Sequence, residues 1–225
     1  MLSGQGGKVP ADFAQLLESL GQRPQPAVVF YGREEERVEL SGRVLANWAV
    51  KLIGLFDEEY ELGPEHTVLV DAALHWKSAA AVLAAQAVGA AVTLEPGASP
   101  EVIITDRPVE RIGSAELGEA ELAALSSGML DSSFEDATGE ELPAWVLDIS
   151  ADVRQQPDQL LTALPAISLP DPGRDASQPL VLTGWEEDSP ARMAHTWAQG
   201  GIVVLFDGEP DGPRWEQMRR NEGLD

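Results

Sequence analysis

Residues Thr67 to Pro96 carry a pattern that few folds accept. Val68-Leu69-Val70 is a short apolar run, Lys77 to Val88 has an Ala-rich helical pattern, Gly89 stops it, and Ala91 to Leu94 forms a second strand. A run of consecutive apolar residues, without polar alternation, belongs to a strand buried on both faces. Strands of that kind occur where helices cover a parallel or mixed sheet, so the unit predicts an α/β fold with helices on both faces.

The rest of the chain repeats this grammar. Ala11 to Leu20 has Phe13, Leu16, Leu17 and Leu20 at helical spacing, with Asp12 at its start and Gly21 as its stop. Ala27 to Tyr31 and Arg37 to Leu40 read as a hairpin with an acidic tip at Glu34-Glu35-Glu36. Ser41 is the N-cap of a helix predicted through Phe56, with Val44, Leu45, Trp48, Leu52 and Leu55 on its buried face. Val102 to Thr105 is a further buried strand, Ser114 to Leu125 reads as helix, Ser126 to Glu141 as loop, Trp145 to Ile149 as strand and Ala151 to Leu164 as helix. Leu180 to Thr183, Ser189 to Gln199 and Ile202 to Phe206 form a second strand–helix–strand unit, followed by a short helix from Pro213 to Asn221. Pro165, Pro170, Pro172 and Pro179 mark the clearest boundary. The expected organisation is a flexible tail over 1–10, a first lobe over 11–164, a Pro-rich linker over 165–179 and a segment over 180–225 that completes the same fold.

Composition narrows the function classes. The 15 basic and 38 acidic residues give a net charge of −23, which repels a phosphate backbone and an anionic membrane surface, so neither nucleic acid nor membrane is an expected partner. There are no cysteines, hence no disulfide, thiolate metal site or thiol nucleophile. No apolar stretch approaches the ~20 residues of a membrane span, and Met1 to Pro10 lacks the order of a signal peptide. These features describe a soluble cytoplasmic protein.

In open α/β sheets, ligands sit beyond the C-terminal strand ends. That rule nominates Asp71, His75 and Trp76 after the first strand of the Thr67 unit, Thr105, Asp106 and Arg107 after the next, and Thr183, Gly184 and Trp185 after the strand near the C-terminus. Trp76 and Trp185 are candidates to line a pocket, with core packing as the alternative. His66, His75 and His195 lie in unrelated elements, so no metal site is expected. The Asp131 to Glu141 stretch lacks the mid-loop Gly and terminal Glu of a calcium loop. Ser126-Ser127-Gly128 has no base near it in sequence and reads as a turn, while Lys8, Lys51, Lys77, Arg107 and Arg174 read as solvated cations.

The order of elements resembles the N-terminal part of the adenylate-forming superfamily, which includes acyl-CoA synthetases, luciferases and nonribosomal adenylation domains. Pro26-Ala-Val-Val-Phe30, Val38-Glu-Leu-Ser-Gly-Arg-Val-Leu-Ala-Asn-Trp48, the segment Val68 to Pro96 and Val102-Ile-Ile-Thr-Asp106 are similar to consecutive strands and helices of that family. Ala198-Gln-Gly-Gly-Ile-Val-Val-Leu-Phe206 resembles a later one. The likeness covers residues 11–106 and 194–206, and implies the N-terminal subdomain of an acyl-CoA synthetase as the fold. The family's Ser/Thr/Gly-rich phosphate loop and its catalytic lysine have no counterpart, since no lysine follows Lys77. A short, degenerate relative without cofactor or catalytic residues is expected, binding a small ligand or a protein partner. The alternatives are a residual adenylate-forming enzyme fragment, acting alone or with a partner chain, and a structural homo-oligomer.

Overall fold

The computed structural model describes residues 9–33, 36–95, 99–128, 131–171, 173 and 178–224. Residues 1–8 of the expected tail, Glu34 and Glu35 of the hairpin tip, Pro96, Pro172 and Arg174 lie outside the described residues. The chain runs α1 (Phe13–Gly21), β1 (Pro26–Tyr31), β2 (Arg37–Ser41), α2 (Gly42–Tyr60), β3 (Thr67–Asp71), α3 (Trp76–Ala87), β4 (Ala91–Thr93) and β5 (Val102–Thr105). It continues with α4 (Pro108–Arg111), β6 (Glu121–Ala124), α5 (Phe134–Thr138), β7 (Leu147–Asp148) and α6 (Ile149–Asp152), which passes into a 3-10 turn at Val153–Gln155. The last elements are β8 (Leu180–Leu182), α7 (Ser189–Ala198), β9 (Val203–Phe206) and α8 (Gly212–Asn221).

Two sheets share one core. The five-stranded sheet has the order β4-β3-β5-β6-β7 and is parallel throughout. The four-stranded sheet has the order β2-β1-β9-β8 and is mixed, since the β1–β2 hairpin is antiparallel while β1–β9 and β8–β9 are parallel. Val28 and Leu205 from one sheet and Val70 and Ile104 from the other enter a single apolar cluster with α1, α2, α3 and α7. Helix α3 lies at its centre, and eleven of its twelve residues are buried. Such a helix is apolar on every side. Ala79, Ala80, Ala81, Ala84 and Ala85 are all fully buried and keep its cross-section small enough for close neighbours.

The helix ends are set by local chemistry. His75 caps α3: its Nδ1 accepts from the Lys77 N–H at 3.2 Å, and Ser78 Oγ accepts from the His75 N–H at 3.0 Å. Gly89 ends it at φ +95, where a Cβ would meet Ile167, Pro64 and Pro165. The outer face of the mixed sheet is covered by α8 through Trp215 and Met218, and that of the parallel sheet by α5 and residues 112–120.

Several expectations are corrected. The segment Ser114 to Leu125 is a series of turns followed by β6, because Gly113 and Gly118 take positive φ and Glu121–Ala124 pairs with β5. The strand expected over Trp145 to Ile149 is reduced to β7, and Trp145 sits in a turn with 51% of its surface exposed. The helix expected from Ala151 to Leu164 ends at Gln155 as a 3-10 turn, just before Pro157. Residues 126–141, read as loop, contain α5, capped by Ser133 and by Gly139 at φ 75. Helix α2 extends beyond Phe56 to Tyr60, and Val44 lies on its exposed side, while Ala46, Ala49 and Ile53 share the buried face. In the proline-rich stretch, Ile167 and Leu169 pack on the core and the Leu169 N–H donates to Ala11 O at 3.1 Å.

Candidate functional site

The C-terminal ends of β3 and β5 lie side by side, with Asp71 paired to Thr105 in register. Asp71 Oδ2 accepts from Thr105 Oγ1 at 3.1 Å and from Arg111 Nε at 2.7 Å, and its Oδ1 accepts from Arg107 at 2.9 Å. Burial pushes the Asp71 carboxyl up, but the hydrogen bonds from Arg111 and Thr105 and the charges of both arginines outweigh it and hold the pKa below the ordinary value. Asp106 Oδ2 accepts from the Ala73 N–H at 2.9 Å, and Arg111 also reaches Glu116. Trp185 donates its indole N–H to Ala72 O at 2.9 Å, which ties the β8 end to the β3–α3 connection.

The strand-end rule therefore brings Asp71, Thr105, Asp106 and Arg107 together, with Trp185 joined through Ala72. For Trp76 the alternative of core packing holds. Trp76 is turned inward against Trp48, with ring centroids 5.0 Å apart, and is 2% exposed. His75 is buried against Phe30 and makes its cap bond rather than facing Asp71; burial, helped by the charge of Lys77, lowers its pKa to about 3. Thr105 is buried, while Thr183 and Gly184 are exposed beyond β8.

A second cluster at the same end of the parallel sheet has members distant in sequence. Lys77, expected in solvent, is 3% exposed. Its ammonium donates to Ser126 O at 2.9 Å and to Gly128 O, and lies 3.5 Å from Ser126 Oγ. Ser126 Oγ and Ser150 Oγ are 2.6 Å apart. The turn at Ser126 thus has an amine beside it, contrary to its reading from local sequence. Burial lowers the Lys77 pKa to about 8 despite the nearby carboxylates of Asp131 and Asp148. The cluster ties α3 to the ends of β6 and β7. Its one sequence signal is a lysine set in an Ala-rich run; Arg111 has a comparable signal, standing four residues after Arg107.

Among the described residues no group of three or more His, Asp or Glu side chains is arranged to hold a metal ion, and no helix is long and apolar enough to cross a membrane. A cavity of about 570 Å³ lies over Leu69 and beside Glu101, Arg111 and Leu117.

No family model matches the sequence. A TIGR03089 family protein of Mycobacterium tuberculosis is 34% identical over 141 residues, which are 60% of this chain and 56% of that protein. Among solved structures, an acyl-CoA synthetase of Brucella canis superimposes with a TM-score of 0.67 at 12% identity, over 88% of this chain and 43% of its own. The acetoacetyl-CoA synthetase of Streptomyces lividans gives a TM-score of 0.66 at 15% identity, over 90% and 39%. The amide bond synthetase McbA of Marinactinospora thermotolerans gives 0.56 at 16%, over 89% and 45%. The fold is that of the acyl-CoA synthetase-like domains, and the chain spans less than half of each of these solved structures.

Proposed function

From this adenylate-forming fold, we propose that the chain is a non-catalytic binding protein that acts through a protein partner. The observation that carries this reading is the state of the cations where the fold would receive a ligand. Arg107 and Arg111 are both committed to Asp71, and Lys77 is committed to the carbonyls of Ser126 and Gly128. Stabilising a polyphosphate requires cations and N–H groups aimed at it. Here the cations serve internal acceptors, and freeing one would leave a half-buried carboxylate or buried carbonyls unpaired. Trp185 closes the same end through its bond to Ala72.

A second reading, a ligase fragment completed by another polypeptide, is favoured by one observation: the superimposed enzymes are all synthetases in name and extend well beyond the shared region. ATP–pyrophosphate exchange with a panel of carboxylic acids separates the two. The non-catalytic reading expects no exchange above a blank; acid-dependent exchange by the purified chain would overturn it.

A further inference from the structure

The opposite edge of the parallel sheet, where its strands begin, carries a groove that the strand-end rule does not anticipate. Three hollows join along it. The cavity of about 570 Å³ over Leu69 and Leu117 shares Glu101 and Glu119 with one of about 440 Å³. That one shares Glu59, Tyr60 and Glu121 with a third of about 300 Å³, which ends at Trp145 and Asp152. The groove therefore has a pocket with Leu69 and Leu117 in its wall at one end, an exposed tryptophan beside a tyrosine at the other, and carboxylates between.

Among the described residues no ion pair involves Glu59, Glu61, Glu119 or Glu121. Arg111, the arginine beside the Leu69 cavity, is held by Asp71 and Glu116. The Tyr60 phenol is held above its ordinary pKa by burial and then by Glu121, Glu59 and Asp152; Asp152 is raised by burial and then by Asp148 and Glu58. Helix α2 also ends here, with Asp57, Glu58 and Glu59 in its last turn and Glu61 following at φ 49. Acidic residues at a helix C-terminus oppose the macrodipole, and a non-glycine in the left-handed region is strained. The helix end is thus less stable than a Lys- and Gly-terminated one would be, and it adds its own negative field to the groove.

We propose that this groove docks a basic, extended segment of a protein partner. Its Lys or Arg side chains lie along Glu59, Glu119 and Glu121, one cation stacks on Trp145, and an apolar side chain enters the pocket over Leu69. Charge complementarity selects the occupant: a polyanion is repelled, and an uncharged segment would leave the carboxylates desolvated and unpaired. Aromatic anchors supply the affinity that rim charges alone do not. The proposal rests on the partner-binding reading and locates it at this edge of the fold.

The test is fluorescence anisotropy of a labelled peptide of alternating Arg and Leu residues, titrated with the full chain at low salt. The variants are Trp145→Ala, Glu59→Gln with Glu121→Gln, and Glu186→Gln with Glu187→Gln as a charge-matched control away from the groove. Thermal melting confirms that each variant is folded. The expected result is saturable binding, weakened about tenfold or more by the tryptophan and groove-charge variants and changed less than about twofold by the control. Absence of saturable binding, equal loss in both charge variants, or full affinity with Trp145→Ala would each overturn the proposal. None of these outcomes alters the nucleotide-exchange result, so the two readings fail separately.

Discussion

Lys77 and His75 are neighbours whose burial affects stability in adjacent pH windows. The lysine titrates near pH 8 in the folded chain against about 10.5 unfolded. Between these values the unfolded chain binds the additional proton, so this residue makes stability rise as pH climbs from 8 to 10.5 and contributes no slope below 8. Urea titrations of the protein and of Lys77→Met across that range should differ by this rise; identical slopes would contradict the buried position. His75 remains neutral in the fold to about pH 3 against 6.5 unfolded. Its contribution is present above 6.5 and lost as pH falls toward 3, with a slope of at most about 1.4 kcal/mol per pH unit. His75→Asn retains an N-cap oxygen and should flatten that part of the acid limb. An unchanged acid limb would place the imidazole in solvent.

At the scale of elements, α3 is the part of the fold most dependent on small side chains. Ala81 is fully buried in the layer between the sheets. Ala81→Leu inserts three carbons there and should cost about 1–3 kcal/mol in chemical denaturation; a neutral result would mean that the layer is loosely packed. This helix and the strands around Val68–Val70, Val102–Ile104 and Val203–Phe206 were legible in the sequence, since an element buried on all sides leaves an uninterrupted apolar signature. The 114–125 region was not: Glu, Ala and Leu favour helix, but Gly113, Gly118 and a free edge of β5 together outweigh that propensity. The same contrast holds for the candidate site. Asp71, Thr105 and Arg107 follow from strand ends brought into register. Arg111 lies 40 positions from Asp71, and Lys77 lies 49 from Ser126, separations that no local pattern encodes. Trp145, read as part of a strand, is instead a groove residue because β7 shrinks to two positions.

For the whole molecule, two sheets packed on a shared helical layer give the acyl-CoA synthetase-like fold opposite edges of different character. At the strand C-termini, charges are paired within the chain. At the strand N-termini of the parallel sheet, Glu59, Glu119 and Glu121 take part in no ion pair among the described residues and lie near an exposed tryptophan, in a chain of net charge −23. Polar resources are spent internally at the edge where related folds are expected to bind ligands, and left available at the other. Recognition of a basic partner should therefore weaken steeply with added salt. The most direct measurement is calorimetric titration of the purified chain with magnesium-ATP. Partner binding without nucleotide chemistry predicts no heat of binding and no thermal shift at millimolar nucleotide; saturable binding at micromolar levels would contradict it and require a phosphate site among the cations assigned here to Asp71, Ser126 and Gly128.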